Sequence, residues 1–352
     1  MTALRVLICD DSPAYAAALR QMLEHDGDIE VCATFGSAEE ALPALSRLEP
    51  GLVTMDIELP GMDGLKAVED IMSARPLPIL VLSGELGYPS DRAAAALAAG
   101  ALEALAKNDL DLRDPASAAG AAFRQRVRVL GRAHVIRHPR ARLSGRTARL
   151  SGRSARPRTA RRASVIGVCA STGGPHILAR LLGALPADYP VPLLVVQHMA
   201  TGFTDGLVRW LDQTARLPIG LAVAGARADP GAWVAPEGAH LTLAATGRLV
   251  LDRHTEAGPH RPSGDVLLSS IAAIAGRAGV AIVLSGMGGD GAAGAAAVRD
   301  RGGLAIAQDE QSSAVFGMPK AAIDLGAEIV LPPADIAAFL LGLDCEPLPG
   351  AR

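Results

Sequence analysis

Short apolar runs, each followed by an alanine- and leucine-rich segment of helical character, recur along this chain in two series. LRVLIC, IEVCATF, LVTMD, PILVLSG and ALEALAK lie between about residues 4 and 110. VIGVCA, PLLVVQH, LAVAG, WVAP, HLTLA, LVL, VAIVLSG and LAIAQ follow from Ser164 onward. Strands that are apolar throughout and alternate with helices imply parallel sheets covered on both faces. The expected fold class is therefore α/β, with two doubly wound sheets. The runs between about 220 and 252 read as an antiparallel excursion inside the mainly parallel second sheet. The first helix is punctuated in advance: Ser12 is placed to cap it, Pro13 to open its first turn, and Tyr15, Leu19, Met22 and Leu23 form one apolar stripe.

A length of 352 residues suits two domains rather than one. Aromatic residues make up only 3% against 49% hydrophobic residues, which points to packing by Ala, Leu and Val. Between the two series the character changes. From Arg124 to Arg162 there are fourteen arginines and no acid, among Gly, Ser, Thr and Pro, which is the composition of a tether. The expected division is a domain over residues 1–120, a basic linker over 121–163 and a second domain over 164–345. Without those arginines the chain holds 20 basic residues against 37 acidic ones, a balance near −17. Nucleic acid is thus a poor substrate for the folded parts, although the linker itself is either a solvated tether or a docking segment for an acidic partner. The four cysteines show no metal spacing and read as reduced thiols. Aspartates appear too early for a signal peptide, and no apolar run is long enough to span a membrane, so a cytoplasmic protein without membrane insertion is expected.

In an open parallel sheet, groups that act together collect at the carboxyl ends of strands. The first series places Asp10 and Asp11 after its first strand, Asp56 after the third, Ser83 after the fourth and Lys107 after the fifth. Three carboxylates on one edge suit a hard divalent cation such as Mg²⁺. In the second series Ser171, His198 and Asp290 likewise fall at strand ends. A serine hydroxyl needs a base to take its proton, and a carboxylate behind an imidazole fixes the tautomer of that base. The amides of the STGGP corner, Thr172 among them, and of GMGGDG, with Met287 the choice there, are placed to hold an oxyanion. Each residue alone has a plainer reading: Ser171 and Asp290 as helix caps, His198 as a structural histidine. His176, His240, His254 and His260 lack such company and are expected to be structural or on the surface, with His240 a further candidate for lining the cleft. Gly286–Gly291 also matches G-x-G-x-x-G, with Asp309 about 20 residues on. A dinucleotide site there would leave Ser171 and His198 without a role.

Two resemblances extend this reading. LICDDS, VTMDIELPGMDGL, VLSG and the lysine of ALAKND resemble the response-regulator receiver family. That likeness implies a flavodoxin-like fold, phosphorylation of Asp56, Mg²⁺ held by Asp10, Asp11 and Asp56, and phosphoryl contacts from Ser83 and Lys107. The family commonly carries an aromatic residue three positions before the lysine and a proline after it, where this chain has Ala104 and Asn108. ASTGGP, VVQHMATGFT, VAPEGAHLTL, SGMGGDGAAG and AIAQDEQSSAVFGMPKAAI are similar to the CheB family of chemotaxis protein-glutamate methylesterases. This likeness implies Ser171 as nucleophile, His198 as base and Asp290 as orienting carboxylate, with glutamate methyl esters of chemoreceptors as substrate, often joined by glutamine deamidation. It further implies a chemotaxis histidine kinase as phosphoryl donor and an unphosphorylated receiver that restrains the esterase. Where the family often reads HMPPGFT and PSVD, this chain has Ala200, Thr201 and Gly264, an expected change in cleft shape. The alternative is a phospho-dependent docking scaffold whose hydrolase-like domain is inactive.

Overall fold

The computed structural model describes residues 3–84, 89–135, 161–348 and 350. The chain divides into two compact units, Met1–Arg140 with Met199–Gly206, and Ala141–His198 with Leu207–Arg352.

The first unit carries a five-stranded parallel sheet: β1 (Leu4–Cys9), β2 (Ile29–Phe35), β3 (Leu52–Asp56), β4 (Ile79–Ser83) and β5 (Glu103–Ala106), in the order β2-β1-β3-β4-β5. This is the flavodoxin-like order, whose switch point lies between β1 and β3. Five helices complete it: α1 (Pro13–Glu24), α2 (Ala38–Leu48), α3 (Gly64–Ala74), α4 (Pro89–Ala99) and α5 (Ala118–Gly131). The Ser12 hydroxyl accepts from the Tyr15 N–H at 3.3 Å, and Pro13 occupies the first turn of α1. Leu19, Met22 and Leu23 of the expected stripe are buried, while Tyr15 is only half-buried. β3 and β4 are buried at every position, as strands covered on both faces should be.

The start of the stretch read as a linker is helical. α5 runs to Gly131, and its Arg124 is 3% exposed, donating to Asp26 at 2.7 Å and to the Pro115 carbonyl at 2.7 Å. An arginine paired in this way packs like any long side chain, so arginine content alone did not mark tether here. Residues 136–160 of that stretch lie outside the described residues, and its end, Arg162–Ala163, is a short strand.

The remainder of the chain holds β6 (Arg162–Ala163), β7 (Val165–Ala170), β8 (Leu193–Gln197), β9 (Ile219–Leu221), β10 (Ala232–Val234), β11 (His240–Leu243), β12 (Leu249–Asp252), β13 (Gly279–Val283), β14 (Leu304–Gln308), β15 (Ile329–Leu331) and β16 (Asp344–Cys345). Its helices are α6 (Gly174–Gly183), α7 (Thr204–Thr214), α8 (Gly264–Ala275), α9 (Ala292–Asp300), α10 (Met318–Asp324) and α11 (Pro333–Leu341). Seven strands form one sheet in the order β15-β14-β13-β7-β8-β10-β9, with every pairing parallel. The antiparallel excursion is narrower than the sequence suggested and does not interrupt this sheet. β9 and β10 belong to the sheet itself, while β11 and β12 pair antiparallel as a separate ribbon, with one isolated antiparallel bridge between Arg227 and Arg248.

The core of the second unit is built from Val165, Leu194, Leu268, Ile271 and Val283 with many alanines, so small side chains let helices and sheet approach closely. The cysteines are all free thiols: Cys9 and Cys169 are buried and Cys345 is exposed. Burial pushes the Cys9 thiol up to about 12 and Cys169 well above the ordinary range, which suits core residues rather than reactive ones.

Candidate active site

At the switch point of the first sheet, Asp10 and Asp56 are each 3% exposed, and Asp11 stands outside them in solvent. One carboxylate oxygen from each of the three lies within 4.8 Å of the others. The Lys107 ammonium reaches in from the end of β5, 2.7 Å from Asp10 Oδ2 and 2.6 Å from Asp56 Oδ2. The same ammonium lies 4.6 Å from the centre of the Tyr15 ring, a cation–π contact not anticipated from sequence. Burial raises the Asp10 carboxyl above the usual carboxylate range, against the opposing pull of Lys107 and the Ser12 N–H. Burial also works against the charge on Lys107, but its hydrogen bonds to Asp10 and Asp56 prevail and hold it above the ordinary lysine value. Backbone N–H groups of Ser12 and Glu58 fix the inner oxygens, at 3.0 Å from Asp10 Oδ1 and 2.9 Å from Asp56 Oδ1. Ser83, the last residue of β4, is 3% exposed.

The second group stands at the carboxyl ends of β7, β8 and β13, three neighbouring strands. Ser171 follows β7 directly. It is not a helix cap, because the N-cap of α6 is Gly173 and no side chain caps that helix. Its N–H donates to the Ser285 carbonyl at 3.0 Å and its carbonyl accepts from Gly174 at 2.8 Å. Ser285, wholly buried, also donates its hydroxyl to the Thr172 carbonyl at 2.8 Å, so one residue pins the corner on two sides. Gly286 has to be glycine: a Cβ there would stand 2.7 Å from the Ser171 Cβ and 2.2 Å from Met318 Sδ.

His198 follows β8, and its N–H donates to Ala170 at 2.9 Å. The Gln197 amide bridges the two corners, donating to the carbonyls of Ser171 at 2.8 Å and His198 at 2.9 Å. The His198 Nε2 lies 2.8 Å from Asp290 Oδ2, while Nδ1 is buried with no hydrogen-bond partner among the described residues. With the proton on Nε2 and held by a carboxylate, Nδ1 is the basic nitrogen. Asp290 does not cap α9, whose N-cap is Gly291. It sits instead at the N-terminus of α8 and accepts from Gly264 N–H at 2.6 Å, the Ser263 hydroxyl at 2.7 Å and Asp265 N–H at 3.1 Å. Burial works against its charge, but hydrogen bonds from His198, Gly264, Ser263 and Asp265 outweigh it and hold the carboxyl well below the usual range. Among the described residues the amides of Thr172 and Met287 donate no backbone hydrogen bond.

Other sequence candidates fall elsewhere. His240 is 1% exposed and does not line a cleft: its Nδ1 accepts from Ser263 N–H at 3.2 Å and its Nε2 meets the Thr255 carbonyl at 3.1 Å. His260, expected to be structural or on the surface, is exposed and stacks on His198 with ring centres 4.2 Å apart. Asp309 is engaged in its own turn, accepting from the N–H and hydroxyl of Ser312. Gln197, Ser263, Ser285 and Gln308, whose Oε1 accepts from Ser285 N–H at 2.8 Å, had no role in the sequence reading. The advance signal for Gln197, Ser285 and Gln308 was that polar residues close or follow apolar strands in VVQH, VLSG and AIAQ, and for Ser263 its place ahead of a helical run in PSGD.

Comparison with known proteins bears on both groups. Residues 166–340 match the CheB methylesterase family and residues 6–113 the response regulator receiver domain family. A protein-glutamate methylesterase/protein-glutamine glutaminase of Myxococcus xanthus is 41% identical over 332 residues, covering 92% of this chain and 89% of that protein. Another so named, from Paramagnetospirillum magneticum, is 37% identical and covers 96% and 95% of the two chains. The crystal structure of the Thermotoga maritima CheB methylesterase catalytic domain aligns with a TM-score of 0.50 at 38% identity, over 51% of this chain and 97% of that one.

Proposed function

The chain belongs to the family of protein-glutamate methylesterases/protein-glutamine glutaminases, and on that premise we propose that Ser171, His198 and Asp290 hydrolyse glutamate methyl esters of chemoreceptors under the control of phosphorylation at Asp56. The observation that carries this reading is the His198 ring. Its Nε2 is held by Asp290 and its Nδ1 is unpartnered, beside a serine whose backbone is tied to the same Gln197 amide.

In the forward step His198 Nδ1 takes the Ser171 hydroxyl proton as Oγ adds to the ester carbonyl. The carbonyl oxygen becomes an oxyanion held by the Thr172 and Met287 N–H groups, each such donor being worth roughly 3–4 kcal/mol. Collapse expels methoxide, which takes the proton from His198 and leaves as methanol. Water then attacks the acyl-serine as His198 Nδ1 takes its proton; the acyl C–Oγ bond breaks, Ser171 Oγ recovers the proton from His198, and the glutamate side chain is released. The same steps on a glutamine amide would release ammonia. In the receiver, Asp56 is the phosphoryl acceptor, with Lys107 and Ser83 placed to meet the phosphoryl oxygens. The three carboxylates within 4.8 Å are hard oxygen donors that fit Mg²⁺, so Asp10, Asp11 and Asp56 would hold it. When bound, it supplies charge neutralisation for phosphoryl transfer. The phosphoryl donor is a chemotaxis-type histidine kinase. Among the described residues no helix is long and apolar enough to cross a membrane, and a cytoplasmic site of action goes with this reading. The docking-scaffold alternative is not favoured, because the His198–Asp290 pair is intact.

Methanol release from methylated receptor fragments, measured with and without acetyl phosphate and Mg²⁺, tests the proposal. Release is expected to depend on Ser171, to rise on phosphorylation, and to lose that rise in Asp56→Ala. A Ser171→Ala variant that releases methanol at the wild-type rate overturns it.

A further inference from the structure

Asp290 has more partners than orienting an imidazole requires. An ionised carboxylate offers about four lone-pair positions, and here four donors fill them. Oδ2 takes His198 Nε2–H at 2.8 Å and Gly264 N–H at 2.6 Å, and Oδ1 takes the Ser263 hydroxyl at 2.7 Å and Asp265 N–H at 3.1 Å. Three are ring or backbone groups. Ser263 alone contributes a rotatable side-chain donor, and it is 2% exposed, so no water substitutes for it freely. The residue is held at two points: the hydroxyl oxygen also accepts from Val266 N–H at 3.4 Å as the cap of α8, and its backbone N–H donates to His240 Nδ1 at 3.2 Å. His240 is set in turn, since its Nε2 donates to the Thr255 carbonyl at 3.1 Å. A continuous path therefore runs from β11 through the start of α8 to the ring of His198.

We propose that Ser263 is a positioning residue of the esterase, holding Asp290 through its hydroxyl so that Asp290 fixes His198, with His240 anchoring Ser263 from behind. This rests on the assignment of Ser171, His198 and Asp290 made above. The titratable groups facing this path are His198 after β8, His260 stacked on it, Cys169 on β7, Asp265 on α8, His240 on β11 and Asp252 on β12. Ser263→Ala alters none of them directly. It removes one donor from Oδ1, so the carboxylate keeps more negative potential for the His198 N–H and favours the imidazolium. The sign follows: more acid-side protonation means that the acid limb of kcat/KM moves to higher pH. A carboxylate freed to rotate also misplaces the ring, and kcat is expected to fall about tenfold.

The test is methanol release by the phosphorylated full-length protein across pH, with thermal unfolding recorded for each variant. Ser263→Ala is expected to lower kcat with KM little changed and to move the acid limb upward, and Ser263→Thr, which keeps the hydroxyl, to restore both. A Ser263→Ala profile like wild type overturns the proposal. So does a variant with lower Tm and kcat but an unmoved acid limb, which is what loss of a helix cap alone would give. Should Ser263→Ala fail to fold, His240→Gln, which keeps an acceptor for the Ser263 N–H, is compared with His240→Phe, which does not. A moved limb in Phe alone supports the proposal, and identical behaviour of the two overturns it. Ser171→Ala run alongside separates the failures: residual wild-type release there sinks the site assignment, whereas a dead Ser171→Ala beside an unaffected Ser263→Ala sinks only the role of Ser263.

Discussion

Cys169 and Gly264 share one small volume beneath Asp290. A Cβ on Gly264 would stand 2.6 Å from Cys169 Sγ, 3.0 Å from its Cβ and 3.2 Å from the Gly291 Cα. The departure from PSVD at this position therefore answers a buried thiol; Gly264 is itself buried and changes packing rather than cleft shape. Gly264→Val is expected to destabilise by about 1–3 kcal/mol through overpacking, and adding Cys169→Ala to recover part of that loss. Urea midpoints of the two single variants and the double variant check it, with simple additivity refuting the shared volume. The groups proposed to react were legible from sequence because Ser171, His198 and Asp290 each stand out against apolar strands or glycine loops. Their supporters were not. A glutamine such as Gln197, whose amide holds two carbonyls, has no periodicity or motif of its own, and its partners are settled only when the strands pair.

At the scale of elements, β1 to β5 were legible almost residue for residue, since buried parallel strands are continuous apolar runs. β9 and β10 were misjudged because three-residue strands carry no sign of direction; that is decided by the connections between them. α5 was hidden by its arginines, yet these hold it. Arg124 and Arg128 both reach Asp26, at 2.7 and 2.6 Å, and Arg128 also takes Asp28 at 2.7 Å. Hydrogen bonds from Arg124 and then Arg128 bring Asp26 down to about 2. Its contribution is therefore complete above the ordinary carboxylate range near 4 and is lost as the pH falls through about 2. Arg124→Met keeps the apolar stem but strands the Pro115 carbonyl, and should cost about 1–3 kcal/mol at neutral pH. Urea unfolding of the full chain measures this, and an unchanged midpoint would show that α5 is held by its apolar face alone.

For the whole molecule, two α/β units joined in one chain place a phosphorylation chemistry and an ester chemistry under common control. If the unphosphorylated receiver restrains the esterase, removing residues 1–160 is expected to raise basal methanol release and abolish its response to acetyl phosphate. An unchanged basal rate would rule out restraint. Ala104 stands buried where an aromatic switch residue is common, and an Ala104→Tyr variant that responds to acetyl phosphate as wild type does would show that the response does not depend on this position.

β13, β7 and β8 are the middle three of the seven strands, and they carry all three groups assigned to the ester chemistry. Two further strands flank them on either side, so each strand that bears an assigned group has a hydrogen-bonded neighbour along both edges. None of the three groups hangs from an edge strand, where one side of the ladder is left open.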